Sequence, residues 1–227
     1  MGARPTEAGR PQLSEDAAAY VRSMIMSGQW RPGDSVRPEA VGQALSISAT
    51  PAREALHMLR VEGFLELLPR WGFQVAPLTG QDIRDLFEAH ALISGELAAR
   101  AAVRATAEEL DELQALHHEV LAAAYRRDLA LLEEKNHAFH RLINLIADAR
   151  KITWVLSLTG RYIPSRFYSE IEGWPQATLH DHSGILEGLR ARDAEAARKA
   201  MHDHIANAGD LLAQQFDRRA VADQEPA

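Results

Sequence analysis

The chain has 227 residues, no cysteine and a formal net charge of −7. The missing cysteines exclude disulfides, iron–sulfur clusters and thiolate metal sites, so any metal must be held by His, carboxylate or amide groups. No apolar run approaches the roughly 20 residues that span a bilayer, and the start, MGARPTEAGRPQLSEDA, has no hydrophobic signal core, so the expected setting is cytoplasmic with no membrane partner.

The length suits one large or two small domains, and two is the expectation. Net acidity argues against a nucleic-acid binder, but the distribution of charge does not. Up to Leu78 there are eight basic and eight acidic residues, and every basic one is Arg, the side chain suited to bidentate base and phosphate contacts. The rest of the chain carries the whole surplus of acid.

Residues 1–12, rich in Gly and Pro, read as a flexible tail. Ser14 then has the look of a helix cap, followed by acids in the first turn, a helical apolar pattern through Tyr20, Ile25 and Met26, and a stop at Gly28. After the RPGD turn, PEAVGQAL predicts a short second helix opened by Pro38. Thr50 as cap and Pro51 as first residue predict a third helix ending at Gly63. FLELLP and FQVAPL, joined by the tight segment Arg70 to Gly72, read as a two-stranded hairpin. Three helices and a hairpin over 13–77 make a winged helix-turn-helix, with the third helix suited to a DNA major groove and the hairpin to the backbone or minor groove. The same elements also form ordinary small packages, and a fold alone does not give a function.

From residue 78 onward strand signals vanish. Helices are expected near 80–103, 106–125, 127–147, 150–168, 176–191 and 193–216, so 78–227 reads as an all-helical bundle and the chain as mainly α. Within it, EEKNHAFHRLI places Asn136 and His140 four apart on one helix face, directed inward among apolar neighbours. Such buried polar groups need partners: a solvent-bonded or capped pair is one answer, a binding site another.

The run IMSGQWRPGDSV…LSISATPAREALHMLRVEGFLELLPRWGFQVAPL resembles the DNA-binding domain of the GntR family of bacterial transcription regulators. The matching residues include Gly28, Pro32, Gly33, Asp34, Thr50, Pro51, Arg53, Glu54, Leu56, Glu62, Gly63, Gly72 and Phe73. The helical remainder resembles the FCD ligand-binding domain of one branch of that family. The resemblance implies a homodimeric, effector-responsive regulator, most often a repressor, binding a double-stranded operator. Of the arginines that usually contact DNA only Arg53 is present; Glu39 and Ala49 stand where the family usually has the others. The contacts it implies are Arg53, with Thr50 and Arg70 of the wing, while Arg37 and His57 are further candidates and Arg60 another for a phosphate.

For the bundle, the resemblance implies a divalent metal (Zn, Ni, Mn or Fe) held by Asn136, His140, His182 and His204, with open positions for water or an effector. Aspartate is usual at the first of these positions; Asn136 makes the site one negative charge poorer and a weaker holder of metal. The neighbouring His137, His180 and His202 fall on other faces by the 3.6 period. The implied effector is a small organic acid, with Arg161, Tyr162, Arg166 and His90 as candidate contacts, since a guanidinium pairs with a carboxylate in a fork. His90 and Ser94 replace the family's usual arginine and glutamate, which points to an altered pocket. Two other readings remain: a regulator for which the metal itself is the signal, and a metal-dependent hydrolase or lyase, which lacks an evident general base because Glu133 and Glu134 lie on adjacent faces.

Overall fold

Contacts within the chain divide it after Leu78 into two units. The structure, a computed structural model, describes residues 10–162 and 174–222, with side chains from 12 to 161 and from 181 to 218.

The first unit begins with α1, Arg10–Met26. It starts before the expected Ser14 cap, and takes in residues assigned to the tail. Ser14 is instead buried inside the helix, where its hydroxyl donates to Glu54 Oε2 at 2.8 Å, so the residue type was right for bonding but its partner is a side chain distant in sequence. Next come β1, Ser35–Val36; α2, Pro38–Leu45; α3, Ala49–Val61; β2, Leu65–Leu68; and β3, Gly72–Val75. The β1 strand was not expected, because two residues carry no readable alternation. It pairs antiparallel with β3, Val36 opposite Phe73, and makes the hairpin the larger part of a three-stranded sheet ordered β1-β3-β2.

Ser48, not Thr50, occupies the N-cap position of α3, with extended φ −72° and ψ 159°. Proline lacks only an N–H that the whole first turn leaves unpaired, so Pro51 is tolerated beyond the first position and does not mark the start uniquely. In the wing turn both Arg70 (φ 71°) and Gly72 (φ 83°) are left-handed, a conformation that costs Gly little and a side chain more. α1 and α2 both pack on α3, burying Ala17, Val21 and Ile25 with Val41, Ala52, Leu56 and Leu59. Arg22, buried in this package, donates from Nε and Nη2 to the Glu62 carboxylate at 2.7 and 2.9 Å.

The second unit is helical throughout its described residues: α4, Gly80–Arg104; α5, Ala107–Arg126; α6, Leu129–Ile146; α7, Arg150–Thr159; α8, Trp174–Arg190; and α9, Ala194–Ala222. Thr79 and Thr106 cap α4 and α5 through reciprocal boxes with Asp82 and Glu109, and the Asp128 side chain caps α6. The expected helix 150–168 ends early, at Thr159, and continues as a single 3-10 turn, Gly160–Tyr162. The last helix runs on past the expected residue 216.

The long helices α4 and α9 lie against each other, α8 against α9, and α5 against α6. Gly209 makes the first of these possible: a Cβ there would lie 2.4 Å from the Phe87 Cβ, so any larger residue would force the helices apart. This arrangement brings one face of α6, α8 and α9 together in the interior. Among the described residues no helix is long and apolar enough to cross a membrane.

Candidate metal centre, effector cavity and DNA-facing surface

α6 carries Asn136 and His140 one turn apart, α8 carries His182, and α9 carries His204. Asn136, His182 and His204 are buried and His140 is half-buried. One nitrogen from each of the three histidines lies within 4.8 Å of the others. The His140 and His204 rings stack, 5.1 Å apart, with their Nε2 atoms 3.2 Å from each other. His182 stands edge-on to both and stacks flat on Phe139 at 4.3 Å.

Burial, with smaller contributions from the charges of neighbouring imidazoles, holds His140 and His182 well below the ordinary histidine range. Both are therefore neutral at neutral pH, the form that binds metal. Both ring nitrogens of His182, Nδ1 of His204 and Oδ1 of Asn136 are buried without a protein hydrogen-bond partner. Each such orphan costs about 1–3 kcal/mol, and four of them beside one another are hard to reconcile with a purely structural role. Three imidazole nitrogens and an amide oxygen are a donor set that suits Zn, Ni, Mn or Fe, so the residues present fit the implied metal. Around them, Asp181 Oδ2 lies 3.5 Å from His204 Nδ1, and His117 of α5, also buried, stands 5.8 Å from the His182 ring.

A cavity of about 550 Å³ opens beside the cluster. Its wall includes Asn136, His140 and His204, together with His90, Arg141 and Asn144, and among the described residues it contains no Asp or Glu. Arg141 makes no hydrogen bond or ion pair with any described residue. Sequence reasoning missed it; its adjacency to His140 on α6 was the available signal. His90 Nδ1 lies 2.7 Å from Thr159 Oγ1, and burial pushes the His90 ring down to about 4. Arg161 is exposed and is not part of the cavity wall. The side chain of Tyr162 and all of Arg166 lie outside the described residues, as does the side chain of His180. His137 also lines the cavity, whereas His202 turns to Glu88, 3.0 Å away, whose carboxylate raises its pKa.

In the first unit, Thr50, Arg53 and His57 are exposed on α3, Arg37 is exposed just before α2, and Arg70 is exposed in the wing turn. Arg53 Nη2 lies 3.5 Å from the Glu39 carboxylate on α2. His57 meets the Phe73 ring of the wing edge-on at 5.0 Å. Trp71, beside Arg70, is 82% exposed, an indole held in solvent that the sequence reading passed over.

Two domain profiles match the chain: "Bacterial regulatory proteins, gntR family" over residues 13–75 and the FCD domain over 85–207. The Uxu operon transcriptional regulator of Escherichia coli is 26% identical over 230 residues, spanning 89% of this chain and 86% of its own. The HTH-type transcriptional repressor RspR of the same species is 26% identical over 186 residues, 81% of each chain. The solved structure of McbR/YncC from Escherichia coli shares the fold, with a TM-score of 0.67 at 20% identity over 90% of this chain and 98% of that one.

Proposed function

Because this chain belongs to the gntR family of bacterial regulatory proteins, as a DNA-binding regulator with an FCD domain, we propose that it is a cytoplasmic, homodimeric repressor controlled by a small organic acid bound beside a divalent metal. The observation that carries the proposal is the cluster of three imidazoles, with both His182 nitrogens and His204 Nδ1 lacking a hydrogen-bond partner, beside a cavity whose described wall has a guanidinium and no carboxylate. Such a cavity favours an anion.

His140, His182 and His204, with the Asn136 side-chain oxygen, would hold the metal, which supplies a fixed positive charge at one end of the cavity. Arg141 offers a fork to the effector carboxylate, and Asn144 and Ser157 line the same space with neutral hydrogen-bonding groups. On the DNA side, Arg53 and Thr50 of α3 reach the operator, with Arg37, His57 and Arg70 on backbone contacts. Two copies would address the half-sites of a palindrome, and the acid acts only if it binds the DNA-competent and DNA-released states with different affinity. The word repressor rests on the family resemblance and on the name of one relative. A cavity of this size favours a metabolite over the metal alone as the signal, and among its described residues the wall offers no carboxylate base for a hydrolase.

The test is elemental mass spectrometry of protein purified without a chelating tag, beside His140→Ala and His182→Ala, followed by DNA-release titrations with small acids. Near-stoichiometric metal that both variants lose, and acid-dependent release, are expected. Wild-type protein that stays metal-free after reconstitution would overturn the metal site, and operator release indifferent to acids would overturn the choice of effector.

A further inference from the structure

The hydrogen-bond chain around His90 sets the polarity of one wall of the cavity. Thr159 Oγ1 lies 2.9 Å from the Leu156 carbonyl oxygen and 2.7 Å from His90 Nδ1. A carbonyl can only accept, so the single hydroxyl proton points to Leu156; any other placement sets two unprotonated oxygens against each other at 2.9 Å. The hydroxyl must then accept from His90, which puts the ring proton on Nδ1. Among the described residues no acid faces His90 from the cavity wall, and its burial keeps the ring neutral. Its Nε2 is left with a lone pair and no hydrogen-bond partner among the described residues.

We infer that His90 Nε2 accepts a hydrogen bond from the effector, so that the acid this cavity takes carries a hydroxyl group. The inference rests on the acid-effector reading above and sharpens it. Family resemblance places a donor, arginine, at this position, and the Thr159 lock gives this chain an acceptor there instead. An ammonium could also donate, but the described wall has no carboxylate to neutralise a buried second charge, which disfavours amino acids. A plain carboxylate of the same length would leave Nε2 unpaired in a desolvated wall, the situation in which a polar site discriminates most strongly.

Calorimetric titration of the full-length, metal-loaded protein with matched pairs of acids tests this: lactate against propionate, 3-hydroxybutyrate against butyrate, gluconate against hexanoate. In at least one pair the hydroxylated acid should bind on the order of tenfold more tightly. That preference should vanish in His90→Phe and shrink in Thr159→Val, which keeps the ring but releases its tautomer; if His90→Phe does not fold, Thr159→Val decides. Nitrogen NMR of the imidazoles should show the His90 proton on Nδ1 in wild type. Acids that bind without regard to the hydroxyl, a preference that survives the variant, or a proton found on Nε2 would overturn the inference while leaving the acid cavity intact. If none of the acids binds, the acid-effector reading fails and this inference falls with it.

Discussion

Replacing His182 with phenylalanine should stabilise the metal-free protein while abolishing its stabilisation by metal. His182 is fully buried and neither ring nitrogen has a partner. Each unsatisfied polar group costs about 1–3 kcal/mol, so the pair burdens the metal-free state by roughly 2–6 kcal/mol. His182→Phe keeps a ring stacked on Phe139, now 4.3 Å from the imidazole, and overpacks the site at a cost of about 1–3 kcal/mol. The expected net gain of about 1–3 kcal/mol corresponds to a rise in Tm of roughly 2–12 °C for a unit of this size. The assay is thermal unfolding at pH 8, where His140 and His182 are neutral, in chelator and then in a metal excess. With metal at about a thousand times its Kd, wild type gains about 4.1 kcal/mol, a gain the variant should lack, so the order of stabilities reverses. A variant less stable than wild type in chelator would show that the His182 nitrogens are satisfied without metal and would refute the reasoning.

His90, lowered to about 4 from an unfolded value near 6.5, contributes stability present above pH 6.5 and lost as pH falls towards 4. The loss amounts to about 3 kcal/mol, and the unfolding free energy of chelator-treated His90→Phe should be flatter across that window; an unchanged slope would mean the ring is not shielded. Arg53→Ala should weaken operator binding by about 1–3 kcal/mol at fixed salt, measured by fluorescence anisotropy, and unchanged affinity would remove Arg53 from the interface. Glu39→Gln breaks a pair whose partners are both exposed, so stability should move by less than about 1 kcal/mol while operator affinity rises, because a charge that repels phosphate and occupies Arg53 is gone. Weaker binding by Glu39→Gln would instead mean that the carboxylate positions Arg53 for its contact. Arg141→Ala should raise the acid concentration needed for half-maximal DNA release on the order of tenfold and leave acid-free DNA affinity unchanged; an unmoved dose curve would show that the carboxylate docks elsewhere.

What the sequence made legible followed from periodicity and caps. The long helices of the second unit announce themselves by a sustained 3.6-residue pattern and by Thr79, Thr106 and Asp128 at their starts, and the interior face of Asn136 and His140 follows from the same period. Illegible were features set by partners distant in the chain. Ser14 looks like a cap until Glu54 is seen beside it, and β1 is too short to have a pattern until β3 pairs with it. The sequence pointed to Arg161 as an anion contact and not to Arg141, and only the packing of α4, α6, α7 and α9 around one cavity separates the two. The His90 tautomer depends on a hydroxyl sixty-nine positions away, beyond the reach of any local pattern.

Two of the departures from the family resemblance, Glu39 and Asn136, bear on the same quantity, the charge presented to an anion. Glu39 lowers the positive charge of the surface around Arg53. Asn136 would do the opposite at the cluster, because three imidazole ligands and an amide would leave a divalent ion with its full charge, where an aspartate would cancel half of it. On the proposed reading, such a site holds its metal less tightly without effector and gains more when an acid carboxylate completes it. Metal and acid then stabilise each other's binding by the same factor, since coupling free energy is reciprocal. Arg141, free of other partners in the described structure, adds to that attraction without consuming the ligand set. A neutral first ligand would thus shift the proposed site from constitutive metal retention towards joint occupancy with the effector, tying the regulator's response to both concentrations.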